Sequence, residues 1–472
     1  MAITNTLLFI FFSFSCCFSA EHKFLVNQPV LTLYEECSEE SSYDSQTIYG
    51  HTVLLIEKLE NGWAKVEMDD GYQGYALTKG LIPDQPRWRT SERICQISSI
   101  AGMVYPIADT EKPALLRLPY GAYVELEQDY DSNQERWLRV NLCDGRKGWI
   151  QRGDVEKFKL KTLDEVIELS HKFKELPYIW GGTSSEGFDC SGYMQTLFKQ
   201  MGILLPRNSR QQVASSLLAE LDAPEKVGDL LFFGTTRVNH VGIYLGEGRF
   251  IHSGVRNHTP RIAVTDVSTH PLLHTKRIKE VAYHSSISPI TDEIKARMTH
   301  SWRNDNPVPL ADLRYLRLSY WGFDGCAHEG ELIVHKEVAQ EVVDIFGDLF
   351  AQRYPIEKMV LIDAYEADDD RSCEDNNTSS FCSRPITGGT AWSLHSLGTA
   401  IDLNPLLNPY YNKAFRTEGV IGQEFLNRSL DCRGIIRKDD ACYRAFISRG
   451  WQWGGNWQES RGYVDYQHFY KE

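Results

Sequence analysis

The stretch "YIWGGTSSEGFDCSGYMQTLFKQMGILLPRNSRQQ", Tyr178 to Gln212, decides how the middle of this chain folds. A glycine-rich turn runs into Cys190, and from there apolar residues recur at helical spacing to about Met201, so the cysteine stands at a helix N-terminus. Unpaired N–H groups and the positive end of the helix dipole face such a position and favour thiolate over thiol. A nucleophilic cysteine needs a base, and "VGDLLFFGTTRVNHVGIYLGEGRFIHSG", Val227 to Gly254, carries two histidines on strand-like runs. Their spacing suits neighbouring strands of a hairpin pointing into one cleft, with His240 to take the thiol proton and His252 to orient its ring. Singly, each of these side chains is more often packed or at the surface. The weight comes from the set.

Working outward, "TLDEVIELSHKFK" from Thr162 has apolar positions at helical spacing behind a Thr cap and early acids, so a helix opens this unit. Farther upstream, "WAKVEMDDGYQGY" from Trp63 and "WLRVNLCDGRKGW" from Trp137 repeat Trp, a basic residue, Val, Asp-Gly, Gly and an aromatic at identical spacing. Alternating apolar residues around an Asp-Gly turn predict a hairpin in each copy, set among short strand-like runs as in a small barrel. Downstream, "SSISPITDE", residues 285 to 293, reads as a Ser/Pro-containing linker. Beyond it an amphipathic helix around "HKEVAQEVVDIFGDLFAQR" precedes an apolar strand, "KMVLIDAY", from Lys358 to Tyr365.

The last part of the chain holds a second constellation. "SLHSLGTAIDLNP", Ser393 to Pro405, places His395 and Asp402 seven positions apart, and "GYVDYQHFYKE" adds His468 three residues after Asp465. A zinc hydrolase wants three protein ligands, an open position for water and a carboxylate close enough to accept its proton. His395, Asp402 and His468 fill the ligand roles and Asp465 that of the base. The competing reading is a structural metal or a satisfied polar cluster in the core.

At 472 residues the chain is too long for one ordinary core, and about 150 residues per domain suggests about three domains. A hydrophobic share of 42% with 12% aromatic residues marks a folded protein. The 11 Trp and 23 Tyr suit several small cores and polymer-binding surfaces. A net charge of −14 argues against nucleic acid as a partner, since phosphate neutralisation needs an excess of Lys and Arg. "MAITNTLLFIFFSFSCCFSA" reads as an export signal over residues 1–20, cleaved near Ser19 or Ala20. It lacks Lys or Arg before the apolar core, which keeps a retained anchor open, and "FSFSCC" ranks lipidation of Cys16 or Cys17 below simple cleavage. No other segment is apolar for the roughly 18 residues a membrane span needs. Cleavage leaves nine cysteines, an odd number, so at least one thiol stays outside any intramolecular pairing. Cys373/Cys382 and Cys432/Cys442 are close enough in sequence for local disulfides.

The quoted motifs carry resemblances. The repeated Trp…Asp-Gly segments resemble the bacterial SH3-like domain, present twice, at 24–88 and 89–158. Its usual role implies binding of cell-wall peptide or shaping of a neighbouring groove, against a plain spacer role. "YIWGG", "FDCSGY", "LPRNS", "GDLLFF", "NHVGIYLG" and "FIHSG", in that order, resemble the NlpC-type cysteine peptidases of bacterial cell walls, relatives of papain, over 160–286. That resemblance implies Cys190 as nucleophile, His240 as base and His252 as the polar third member, with Tyr178 beside the centre. It further implies Asp189 and Ser209 as holders of the free amine of an N-terminal L-alanine, hence cleavage between D-glutamate and the diamino acid of peptidoglycan stem peptides. A residue of the first SH3-like domain is implied at the site, and the sequence does not single it out. Cys190 then accounts for the odd thiol.

"SLHSLGTAID" with "DYQHF" resembles the zinc peptidases that include D-alanyl-D-alanine carboxypeptidases, VanY-like enzymes and L,D-endopeptidases, over 292–472. The resemblance implies one zinc ion, Ser393 as a helper beside the first ligand, and an arginine for the substrate, with Arg384 ahead of Arg371. Asp rather than Glu at the base position favours an L-Ala/D-Glu endopeptidase over a D-Ala-D-Ala carboxypeptidase. The expected fold is multidomain: two small all-β SH3-like barrels, a papain-like α+β domain and an α+β zinc peptidase domain. The expected function is a bifunctional peptidoglycan hydrolase, secreted, periplasmic or wall-associated. The alternative is a peptidoglycan-binding protein with one catalytic head active, or neither.

Overall fold

The computed structural model describes residues 23–130, 135–221, 224–256, 259–386, 389–412, 420–457 and 463–472. The expected export signal, with Cys16 and Cys17, lies outside the described residues. No described helix is long and apolar enough to cross a membrane.

Two β units come first. Seven antiparallel strands between Lys23 and Pro83 form one curled sheet, closed over Leu31, Leu33, Val53, Ala64, Val66 and Ala76. Strands between Ile94 and Lys157 build the second unit, a five-stranded and a two-stranded sheet. The repeated sequence becomes a repeated hairpin: Trp63 pairs with Leu77 in one copy and Trp137 with Gln151 in the other, and the pairing runs to Glu67↔Gln73 and Asn141↔Lys147. Each turn is closed the same way. Asp70 accepts from the Tyr72 amide and Asp144 from the Arg146 amide, while Gly71 and Gly145 sit at φ 78° and 82°. The units share apolar packing, for Leu25, Ile48, Tyr49 and Trp88 join the core of the second.

The middle unit opens with the Leu163–Lys172 helix, whose Thr162 and Glu165 form a reciprocal capping box. A six-stranded antiparallel sheet follows in the order Leu218–Glu220, Leu272–Ile278, Leu230–Phe233, His240–Gly246, Arg249–Arg256, Thr259–Asp266. The Cys190–Lys199 helix lies on it, burying Tyr193, Met194, Leu197 and Phe198 against Phe232, Val241 and Ile251. This helix-on-sheet arrangement is the papain-like part of the fold.

In the C-terminal unit two expectations fail. Ser285–Pro289, read as a linker, is an edge strand paired with Leu313–Trp321 from Ser285↔Leu318 to Pro289↔Arg314. An edge strand has a solvent side where a proline needs no donor, so its Ser/Pro content does not break it. "KMVLIDAY" is not a strand. Met359, Leu361 and Ile362 are buried, but Asn377 satisfies Val360 with its side-chain amide, Oδ1 accepting at 2.9 Å and Nδ2 donating at 3.1 Å, and a 3-10 turn follows at Ile362–Tyr365. A side chain stands where a neighbouring strand would be. The amphipathic helix runs Ala339–Ala351, and its buried face packs with Leu316, Leu332, Ile401 and Phe469. All nine cysteines among the described residues are free thiols, including the two pairs whose sequence proximity suggested bridges.

The units are tied by charge. Glu357 accepts from Lys23 Nζ at 2.6 Å and from Arg89, which also reaches Asp84, and all four side chains are at most 15% exposed. N-terminal strand and C-terminal unit therefore meet through a buried network.

Candidate active sites

Cys190 is the first residue of its helix. Asp189 caps that helix, accepting from the Gly192 amide at 2.6 Å. The thiol is buried and lies against the Ser191 and Val241 amides, the second belonging to the strand that starts at His240. Burial, helped by the Asp189 charge, pushes the thiol up to about 12, and burial with His270 alongside brings His240 down to about 4. The thiolate expected from the helix position is not the resting form: desolvation outweighs the dipole and the two amides. Thiol and imidazole both rest neutral.

The two histidines of the hairpin touch. His240 Nε2 and His252 Nδ1 are 2.7 Å apart, and His252 Nε2 lies 3.0 Å from Thr265 Oγ1 on the next strand. Thr265 was not singled out in the sequence. Tyr178 has its phenol raised, first by burial and then by the nearness of Cys190 and Asp189. Asp189, expected at a substrate amine, already accepts five donors: the Gly181 and Gly192 amides, Ser191 Oγ and the two Nη atoms of Arg207, the closer at 2.6 Å. An amine would compete there with a buried guanidinium. Ser209 is buried at the start of a short helix capped by Asn208.

One wall of this cleft comes from the first β unit. Trp180 is 63% exposed, and its Nε1 donates to Asp44 Oδ1 at 2.7 Å; Thr183 Oγ1 donates to the Gln46 carbonyl at 2.8 Å, and Arg207 Nε to Ser45 Oγ at 3.0 Å. Gly181 holds φ +70°, and a Cβ there would meet the Tyr43 carbonyl at 2.7 Å. The Tyr43–Ile48 strand is thus seated on the loop that leads to Cys190.

The second centre lies where a single helical turn, Leu394–Leu397, leads into the Ala400–Asp402 strand, itself paired with His468–Tyr470 so that Asp402 faces His468. His395, Asp402 and His468 are buried, with one potential ligand atom from each within 4.8 Å of the others. His395 Nδ1 meets the Ser380 carbonyl at 2.6 Å, which turns Nε2 to Asp402 Oδ2 at 3.0 Å; His468 Nδ1 lies 2.9 Å from Asp402 Oδ1. Burial would raise Asp402, but the two imidazoles hold it well below the carboxylate range.

These residues fit a zinc ion. The donors are two imidazoles and a carboxylate, one imidazole is oriented by a backbone carbonyl from behind, and Asp465 brings a buried Oδ1 with no partner. Burial pushes Asp465 up to about 7, with Asp402 and Asp369 adding to it against His468. Ser393 caps the helical turn through the His395 amide. Arg384 pairs with Asp369 at 2.8 Å and leaves its buried Nε unpartnered, whereas Arg371 pairs with Glu366 at 3.6 Å.

Known proteins match the regions that contain both centres. The NlpC/P60 family model matches residues 175–276, the region of Cys190, His240 and His252. A gamma-D-glutamyl-L-lysine dipeptidyl-peptidase of Bacillus subtilis is 43% identical over 222 residues, covering 44% of this chain and 71% of that protein. The chain belongs to the NlpC/P60 family. Within this NlpC/P60 protein the model described as "Bacterial dipeptidyl-peptidase Sh3 domain" matches 33–81, and that described as "D-alanyl-D-alanine carboxypeptidase" matches 387–471, which holds His395, Asp402 and His468. Other relatives are a gamma-D-glutamyl-L-lysine dipeptidyl-peptidase of Bacillus cereus, 31% identical over 44% of this chain and 67% of its own, and dipeptidyl-peptidase 6 of Lysinibacillus sphaericus, 27% identical over 51% and 90%. The crystal structure of an NlpC/P60 family protein from Bacillus cereus aligns with 54% of this chain and 98% of its own at a TM-score of 0.47 and 23% identity.

Proposed function

We propose that the protein is a two-headed hydrolase of peptidoglycan stem peptides, exported to the cell wall, with a thiol endopeptidase in the middle unit and a zinc peptidase at the C-terminus. The observation that carries the thiol head is the line from His240 through His252 to Thr265, beside a cysteine seated at a helix N-terminus. If His252 donates Nε2–H to Thr265, its Nδ1 accepts from His240 Nε2–H, and Nδ1 of His240 keeps its lone pair. That ring nitrogen takes the thiol proton as Sγ attacks, and returns it to the leaving amine. The acyl-enzyme then yields to water activated by the same ring. The bond is the one between D-glutamate and the diamino acid, in line with the activity named for the Bacillus relatives. The first β unit, through Asp44 and Trp180, walls the cleft where the start of the stem would lie.

In the C-terminal head His395, Asp402 and His468 would hold zinc, which supplies Lewis acidity when bound. Asp465, raised and half-shielded, offers an unpartnered oxygen to receive a proton and hand it to the leaving amine. Arg384, braced by Asp369, presents positive charge to the substrate. Asp465 as the base favours an L-Ala/D-Glu endopeptidase over a D-Ala-D-Ala carboxypeptidase.

Digestion of defined muropeptides followed by mass spectrometry tests both heads. Two product sets are expected, one lost in Cys190→Ala and the other lost with chelator or in His395→Ala. Binding to sacculi without release of any peptide would overturn the proposal.

A further inference from the structure

The thiol centre contains a third histidine that the mechanism leaves unused. His270 follows the 3-10 turn Val267–Thr269 and stacks on His240, ring centroids 5.5 Å apart and planes 18° from parallel. Its ring is also 5.3 Å from that of His252, nearly edge-on at 74°. His240, His252 and His270 each bring one ring nitrogen within 4.8 Å of the others. Four-coordinate zinc, with Zn–N near 2.0–2.1 Å, asks its nitrogens to lie about 3.3 Å apart. The His240 and His252 nitrogens are already at 2.7 Å. To receive the ion they have to part by about 0.6 Å, and His270, at the exit of a short turn, has to move inward.

The surroundings suit a metal. His252 Nε2 is held by Thr265, and His270 Nδ1 lies 2.8 Å from Thr269 Oγ1, which orients both rings from behind and leaves the opposite nitrogens for coordination. His240 and His270 are only half-buried, which gives an ion a way in.

We propose that His240, His252 and His270 form a second, inhibitory site for zinc or a similar nitrogen-seeking divalent cation, which shuts the thiol head. Coordination takes up the nitrogens through which His252 orients His240, so the base loses its orienting partner while the ion is bound. No covalent bond is made or broken, and chelation reverses it. The ion required by the C-terminal head would thus silence the other head. Three neutral imidazoles bind a dication more weakly than a set that includes Asp402, so the C-terminal site fills first and the thiol head closes as zinc rises further. The inhibitory consequence rests on the role proposed for His240; the binding site itself does not.

The experiment uses the full chain, zinc chloride, and His270→Phe, which keeps a ring on His240, with His270→Gln as a second form. Equilibrium dialysis and elemental analysis should count two zinc ions per chain in the wild type, one in either His270 variant and one in His395→Ala. In the His395→Ala background, zinc should stop Cys190-dependent cleavage, and addition of His270→Phe should raise at least tenfold the zinc needed to halve that variant's own zinc-free rate. Loss of the second ion together with the zinc response supports the site. A full metal count and undiminished zinc sensitivity in both His270 variants would overturn it, assigning inhibition to Cys190 and His240 alone. Should no form cleave, the reading of the thiol head fails, while the count in His395→Ala still decides the metal site.

Discussion

Replacing Glu357 by Gln removes the negative centre of the network that joins the N-terminal strand to the C-terminal unit. Glu357 accepts from Lys23 and Arg89, and these charge-assisted bonds are of the kind worth about 1.5–3 kcal/mol each. Stripping one partner from a buried pair costs about 3–5 kcal/mol because the other charge stays buried. Here the orphaned cations keep something: Lys23 has Asp375 at 3.6 Å and Arg89 has Asp84 at 3.3 Å. The expected loss is therefore near the lower end, about 3 kcal/mol. Burial alone would raise Glu357, but Arg89 and Lys23 overcome it and hold the carboxyl well below its ordinary value. A depressed carboxylate contributes its stability above the unfolded value, about 4.3, and loses it as pH falls through the folded one. Urea titrations of both proteins should show a constant gap in the first unfolding transition from pH 5 to 8, closing progressively below about pH 4. A gap under about 0.5 kcal/mol at pH 7, or one that does not close in acid, would refute the assignment of docking energy to this network.

The thiol head offers further checks. With His240 near 4 and Cys190 near 12, kcat/KM should stay level across neutral pH and fall on the acid side as the imidazole charges below about pH 5. Iodoacetamide should alkylate Cys190 slowly at pH 7 and faster at every step upward, whereas a stored thiolate would react at a rate independent of pH. Thr265→Val should lower kcat about 10–100-fold and shift the acid limb, with Thr265→Ser restoring both; a change in thermal stability alone would make Thr265 merely structural. Gly181→Ala should cost at least about 1–2 kcal/mol from the left-handed backbone, and should break the Trp180–Asp44 contact, read as a change in Trp180 fluorescence.

The legible parts of this molecule were those with short-range grammar. A capped helix at Thr162, a cysteine after a glycine turn and the twin Asp-Gly hairpins are each encoded within a dozen residues. The three side chains gathered at the second centre, His395, Asp402 and His468, were legible as residue types in order. What escaped was tertiary: Asp44 meets Trp180 across 136 positions, and nothing near either residue announces the other. Thr265 and His270 sit on strand and turn with no periodic signal, and they matter only because the sheet folds them over His252 and His240. "KMVLIDAY" misled because buried apolar residues say where a segment lies and not how its backbone is paired; there the amide of Asn377 took the place of a strand. The cysteine's protonation misled for a related reason, since a helix N-terminus is visible in sequence and the depth of burial is not.

The strand Tyr43–Ile48, seated on the loop before Cys190, separates two kinds of inheritance within one enzyme. The residues gathered around Cys190 are written in the middle of the chain, and the strand that walls their loop is written near the beginning. On the role proposed for that wall, changes in the barrel would retune which stem peptides are admitted while every reacting atom stays in place, leaving diet and chemistry to drift apart.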